Sequence, residues 1–100
     1  MVKHVIIWNL KEGYSDEEKE SILKGIKEGI EALNGKIPGL IDISVNINPL
    51  PSSSGELILD SSFESVEALK GYAVHPDHVE VANTKVKPYV GTRACMDYEV

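Results

Sequence analysis

The sequence predicts an α+β fold, a four-stranded antiparallel sheet with two main helices on one of its faces. Three observations predict it. Strand-like alternation occurs at residues 2–10, 40–47, 56–62 and 92–99. Helical periodicity fills the gap between the first two of these runs and the gap between the last two. The resulting order, β-α-β-β-α-β, is that of the ferredoxin-like split β-α-β unit. With 100 residues, 42% of them hydrophobic, the chain has the material for one core, so residues 1–100 are read as a single domain.

The first strand carries His4, Ile6, Trp8 and Leu10 on one face and Val5, Ile7 and Asn9 on the other. Apolar residues on both faces predict a central strand covered on both sides. Ser15-Asp16-Glu17-Glu18 has the spacing of a capping box, which places the start of the first helix there. Ile22, Ile26, Ile30 and Leu33, with Leu23 beside them, give that helix its buried stripe. Gly25 and Gly29 each cost roughly 1 kcal/mol relative to Ala in a helix, which predicts a close approach to the sheet. Asn34-Gly35 is expected to end the helix in a left-handed cap.

Ile37-Pro38-Gly39 turns the chain into the second strand, with Ile41, Ile43, Val45 and Ile47 as its apolar face. The stretch 48–55, rich in Pro and Ser, is a loop before the third strand. Ser65 is the expected N-cap of the second helix, which Pro76 ends. Pro76 also suits the first position of a short helix over 76–83. In the last strand Arg93, Cys95, Asp97 and Glu99 alternate with Thr92, Ala94, Met96 and Tyr98. Two helices cannot cover both faces of a four-stranded sheet, so the open face is expected to pair with a second copy into a dimeric α/β barrel.

Composition excludes several function classes. A net charge of −6 with no basic cluster argues against a nucleic-acid partner. No apolar stretch reaches membrane-spanning length, and the N-terminal apolar run is too short for a secretory signal. A single cysteine rules out an internal disulfide and fits a cytoplasmic setting.

Candidate chemistry gathers at Tyr72-Ala73-Val74-His75-Pro76-Asp77-His78, which holds two of the three histidines. His78, on the first turn after Pro76, has the ordinary pKa of a general base near neutrality, about 6.5. The Tyr72 phenol can hold a carbonyl or enolate oxygen. The competing reading makes both residues structural, with His78 bonded to a backbone carbonyl. His75 is expected to cap a helix end against the carbonyl dipole. His4 shares its face with Ile6 and Trp8, as a core histidine or as a ligand-facing one. His4, His75 and His78 could in principle bind zinc, but His75 and His78 straddle the proline break and are not a helical i, i+4 pair, so this reading is disfavoured. Asp97 either orients His78 or pairs with Arg93, the second being favoured. Cys95 has only Arg93 as an activating neighbour, so a nucleophilic thiol is not expected.

Lys3-His4-Val5, Ile37-Pro38-Gly39, Phe63-Glu64-Ser65, Tyr72-x-x-His75-Pro76-x-His78 and the terminal Asp97-Tyr98 resemble the stress-responsive dimeric α/β-barrel (Dabb) domain family. The resemblance spans nearly the whole chain. It implies a ferredoxin-like homodimer and, from a plant polyketide-cyclase member, a catalytic role for His78 and Tyr72. It also turns the face bearing His4, Ile6, Trp8 and Asp97 toward a substrate cavity. Some plant members hold a metal by backbone carbonyls in the region corresponding to 34–40; no metal and no cofactor are expected here. That cyclase has a histidine where this chain has Leu57, so its substrate is not carried over. Two functions follow. One is a homodimer binding a small apolar or carbonyl-bearing molecule, with cofactor-independent cyclase- or lyase-like proton abstraction. The other is a non-catalytic stress-responsive binding or assembly module.

Overall fold

A computed structural model describes residues 1–100. The elements are β1 (Val2–Leu10), α1 (Asp16–Glu31), β2 (Leu40–Asn46), β3 (Leu57–Phe63), α2 (Val66–Val74), α3 (Pro76–Val81) and β4 (Val90–Glu99). The four strands form one antiparallel sheet in the order β2-β3-β1-β4, so β1 is central as its two apolar faces predict. Val2, His4, Ile6, Trp8 and Leu10 point to the helix side and are buried with Leu57, Leu59 and Phe63 of β3. No helix is long and apolar enough to cross a membrane.

The capping box forms. Ser15 Oγ accepts from the Glu18 N–H at 3.2 Å, and Glu18 Oε1 accepts from the Ser15 N–H at 3.1 Å. Ile26, Ile30 and Leu33 then bury the α1 stripe against the sheet. The C-terminal end of α1 and Asn34 in the turns beyond it also guard the β2 edge. Asn34 Oδ1 accepts from the Ile43 N–H and its Nδ2 donates to the Ile43 carbonyl, while Glu31 accepts from the Val45 N–H and Lys27 donates to the Val45 carbonyl. These side chains occupy backbone groups that would otherwise template another strand. Burial pushes the Glu31 carboxyl up, but Lys27 and the Val45 N–H outweigh it and hold its pKa below the usual range.

Four local expectations need correction. The α-helix stops at Glu31 and a run of turns carries the chain to Gly35 (φ 78°), so the left-handed residue comes later than a simple helix cap. A β-bulge between Leu40 and Asp42 takes Ile41 out of the alternation and leaves it 52% exposed. Gly25 has no neighbour within 4 Å of an added Cβ, and Gly29 faces Val81 and Lys85, so neither glycine serves contact with the sheet. After α3 the helix does not stop near residue 83. It continues as a π-helical turn, Ala82–Val86, whose wider ring is closed by Lys87 N–H to Ala82 C=O at 2.8 Å.

The Ile37-Pro38-Gly39 turn places α2. Gly39 adopts φ 80°, and its carbonyl accepts from the Glu64 N–H just before the helix. Ser65 caps α2 by accepting from the Ala68 N–H. The helix ends at His75, ahead of Pro76, and this end-to-end arrangement of α2 and α3 sets Tyr72 over the sheet.

Candidate functional site

Tyr72 is 2% exposed and sits among three other rings. Its ring centroid lies 4.1 Å from His78, 5.0 Å from Phe63 and 6.0 Å from His4. The helix junction makes this possible, because His78 on the first turn of α3 folds back onto the last turns of α2. Burial alone pushes the Tyr72 phenol well above the ordinary tyrosine range, so it is a neutral donor at any physiological pH.

His78 Nδ1 lies 3.3 Å from the Ala73 carbonyl. A carbonyl only accepts, so Nδ1 carries the proton and Nε2 keeps its lone pair. Burial lowers the His78 pKa. The Ala73 carbonyl works against that shift, and the charges of His4, Lys87 and His75 add to it. A neutral imidazole with a free Nε2 is the form a general base requires. Tyr72 and His78 line one cavity of about 40 Å³ with Ile6, Trp8, Leu59 and Val81. That is room for about one or two water molecules, or for an oxygen-bearing group of similar size.

His4 is 8% exposed, and its Nδ1 is 2.5 Å from Asp97 Oδ1. The β1–β4 register sets the two residues directly opposite each other. Asp97 therefore neither orients His78 nor pairs with Arg93; its partner is His4. The cross-strand pairing of the first and last strands decides this, and a signal was available by counting inward from the two chain ends along the same face. Cys95, one pair further along, adds its Sγ 3.8 Å from His4 Nδ1 and 3.6 Å from Asp97 Oδ1. Burial and the Asp97 charge push its thiol up, with Arg93 acting the other way, which agrees with an unreactive thiol. His75 also differs from expectation. Its Nδ1 accepts from the Asp77 N–H at 3.1 Å, so its side chain caps the N-terminus of α3 and not the carbonyl end of α2.

The helix side of the sheet thus holds two groups of candidate side chains with Tyr72 between them. On one side lies the His78 cavity. On the other, His4, Asp97 and Cys95 line an open groove of about 720 Å³ between α2 and β4. Ile6 and Trp8 belong to the cavity wall and not to the groove.

Comparison with known proteins agrees with this architecture. The chain is 35% identical over 81 residues to the stress-response A/B barrel domain-containing protein HS1 of Arabidopsis thaliana, covering 81% of this chain and 73% of that protein. A dimeric protein of unknown function with a ferredoxin-like fold from Bacteroides fragilis superposes with a TM-score of 0.90 at 35% identity, over 99% of this chain and 95% of that one. A hydroxynitrile lyase from Passiflora edulis shares the fold, with a TM-score of 0.71 at 17% identity over 97% of this chain and 90% of its own. A model of the stress responsive A/B barrel domain matches residues 2–100, nearly the entire chain. With its sheet order, its helix junction and these relatives in agreement, the chain belongs to the stress-responsive A/B barrel domain (Dabb) family.

Proposed function

We propose that the protein is a homodimer that binds a small carbonyl-bearing or phenolic molecule beside the α2–α3 junction, with His78 as general base and Tyr72 as hydrogen-bond donor. The observation that carries the reading is the pairing of a neutral His78, its Nδ1–H tied to Ala73, with the Tyr72 phenol on the wall of one cavity. A carbonyl or enolate oxygen fits that space, and the rest of the ligand lies outside it. Nε2 would take a proton from the carbon beside the carbonyl while the phenol holds the oxygen on which charge develops. No cofactor enters this chemistry. Dimerisation is assigned to the open sheet face, where Ile7 and Met96 are 42% and 66% exposed and Val5, Ile58 and Ala94 stand next to them. The dimeric relative from Bacteroides fragilis supports it. A reducing, cytoplasmic setting fits the exposed lone Cys95.

The non-catalytic reading also has an observation in its favour. The cavity is small, and Tyr72 packs as a core residue between Phe63 and His4, as a structural staple would. A panel of phenolic and β-dicarbonyl compounds separates the two. Under the proposal, one compound class shifts the His78 ring resonances, and His78→Gln and Tyr72→Phe stay folded but lose turnover by about 10²-fold or more. The base must be unprotonated, so the rate rises with pH and levels off above a midpoint below about 6.5, since burial lowers the His78 pKa. A wild-type protein silent to the whole panel, with His78→Gln affecting only stability, would leave the assembly module as the function.

A further inference from the structure

We infer that His4, Cys95 and Asp97 form a binding site for a thiophilic divalent cation, Zn²⁺ above all, at the floor of the α2–β4 groove. The three side chains come from the central strand and its edge neighbour, and their donor atoms converge. Cys95 Sγ is 3.8 Å from His4 Nδ1 and 3.6 Å from Asp97 Oδ1, and His4 Nδ1 is 2.5 Å from Asp97 Oδ1. Bond lengths of about 2.0–2.3 Å to nitrogen, oxygen and sulfur around a tetrahedral Zn²⁺ put donor atoms about 3.3–3.6 Å apart. Both separations that involve the sulfur are already close to this. The third has to open by about 0.8 Å to reach it. Asp97 stands on an exposed edge strand, where its carboxylate has the freedom to turn.

The donor set also fits the ion. One thiolate, one imidazole and one carboxylate select Zn²⁺ over hard cations such as Mg²⁺ or Ca²⁺. Two anionic ligands balance the charge of the ion. His4 is held in the core by Phe63 and Tyr72, so the site has one rigid ligand and two on the accessible strand. Binding is proton-balanced. The Cys95 thiol gives its proton to solvent, and the proton that His4 Nδ1 now shares with Asp97 moves to Nε2 so that Nδ1 can offer its lone pair. Three protein ligands leave a fourth position, and all three residues line the groove, so that position is reached from solvent. A ligand with a metal-binding oxygen and an apolar body would find Leu69 and Ala73 on the opposite wall. The site does not depend on His78 acting as a base.

Titration of the purified protein with Co²⁺, followed by competition with Zn²⁺, tests the site. One Co²⁺ per chain is expected, with a near-ultraviolet thiolate-to-metal charge-transfer band and the strong visible bands of four-coordination, all removed by Zn²⁺. Cys95→Ser is expected to abolish the charge-transfer band. Cys95→Ser and Asp97→Asn are each expected to weaken Zn²⁺ binding by at least the tenfold that a change around the ligand shell costs, about 10-fold or more. Both positions are exposed, and circular dichroism is expected to show the wild-type fold in both variants. Absence of the charge-transfer band in the wild-type protein would overturn the site, as would unchanged Zn²⁺ affinity in either variant.

Discussion

Met96→Asp is expected to turn the proposed dimer into a monomer. Met96 is 66% exposed on the sheet face that no helix covers, where its register partner Val5 and the neighbouring Ile7 add apolar surface beside the Lys3–Asp60 ion pair. In a two-fold dimer each substitution appears twice, and both carboxylates enter the same interface. Moving an unpaired charge out of water costs far more than the ~1–3 kcal/mol of an unpaired neutral polar group, so even 3 kcal/mol per interface is a lower bound, about 100-fold in Kd. The protomer itself is expected to stay folded, because Met96 takes no part in the helix-side core. Light scattering after size exclusion checks this directly, with the wild type at twice the 11.0 kDa of one chain and the variant at 11.0 kDa. A variant that still runs at the doubled mass would place the interface elsewhere.

Gly39→Ala is expected to cost about 3 kcal/mol of stability, whereas Gly25→Ala is expected to add about 0.5–1 kcal/mol. The opposite signs come from the surroundings. Gly39 lies at φ 80°, and an added Cβ would meet the Ala68 Cβ at 2.4 Å and its Cα at 3.5 Å. A left-handed conformation costs an alanine about 1–2 kcal/mol, and overpacking against a short side chain on a capped helix about 1–3 kcal/mol more. Neither atom of Ala68 can rotate away, so α2 itself has to shift, and Tyr72 with it. Gly25 lies within α1 with open space around it and gains only the helix propensity of alanine. Thermal melts of the two variants are expected to move in opposite directions, with Gly39→Ala falling by about 10–20 °C. A neutral Gly39→Ala would mean that the turn relaxes without moving the helix.

The parts of this molecule that the sequence makes legible are those settled within a few residues. The Ser15 capping box, the Ser65 cap, the Pro76 break and the alternation of β1 depend on local hydrogen bonds and side-chain period, and each is present. Ile41 is misplaced because a bulge against β3 shifts one residue, a matter of pairing and not of local preference. The glycines of α1 mislead for a related reason: what lies opposite Gly29 is the end of α3 at Val81 and Lys85 in the turn after it, both distant in sequence. The candidate site divides in the same way. Tyr72 and His78 are a helical turn and a half apart across one junction, so their proximity is readable from spacing. The His4–Asp97 contact joins the two ends of the chain and exists only because β4 is laid beside β1 in one register. His75 lies between these cases. Its position at a helix boundary is local, but which boundary it caps depends on the geometry of α3.

The state of the His78 imidazole tests the proposed chemistry most directly. Two-bond nitrogen–proton correlation spectra of the three histidine rings, recorded across a pH series, report both tautomer and pKa. The expected result is a His78 ring that is neutral at pH 7 in the Nδ1–H form, with a midpoint below the ordinary value of about 6.5, because burial opposes its charge and the Ala73 carbonyl holds the Nδ1 proton. Such a ring has its lone pair on Nε2, ready to accept a proton. A His78 that is protonated at pH 7, or neutral in the Nε2–H form, would have no lone pair at Nε2 and would contradict the assignment of His78 as the base.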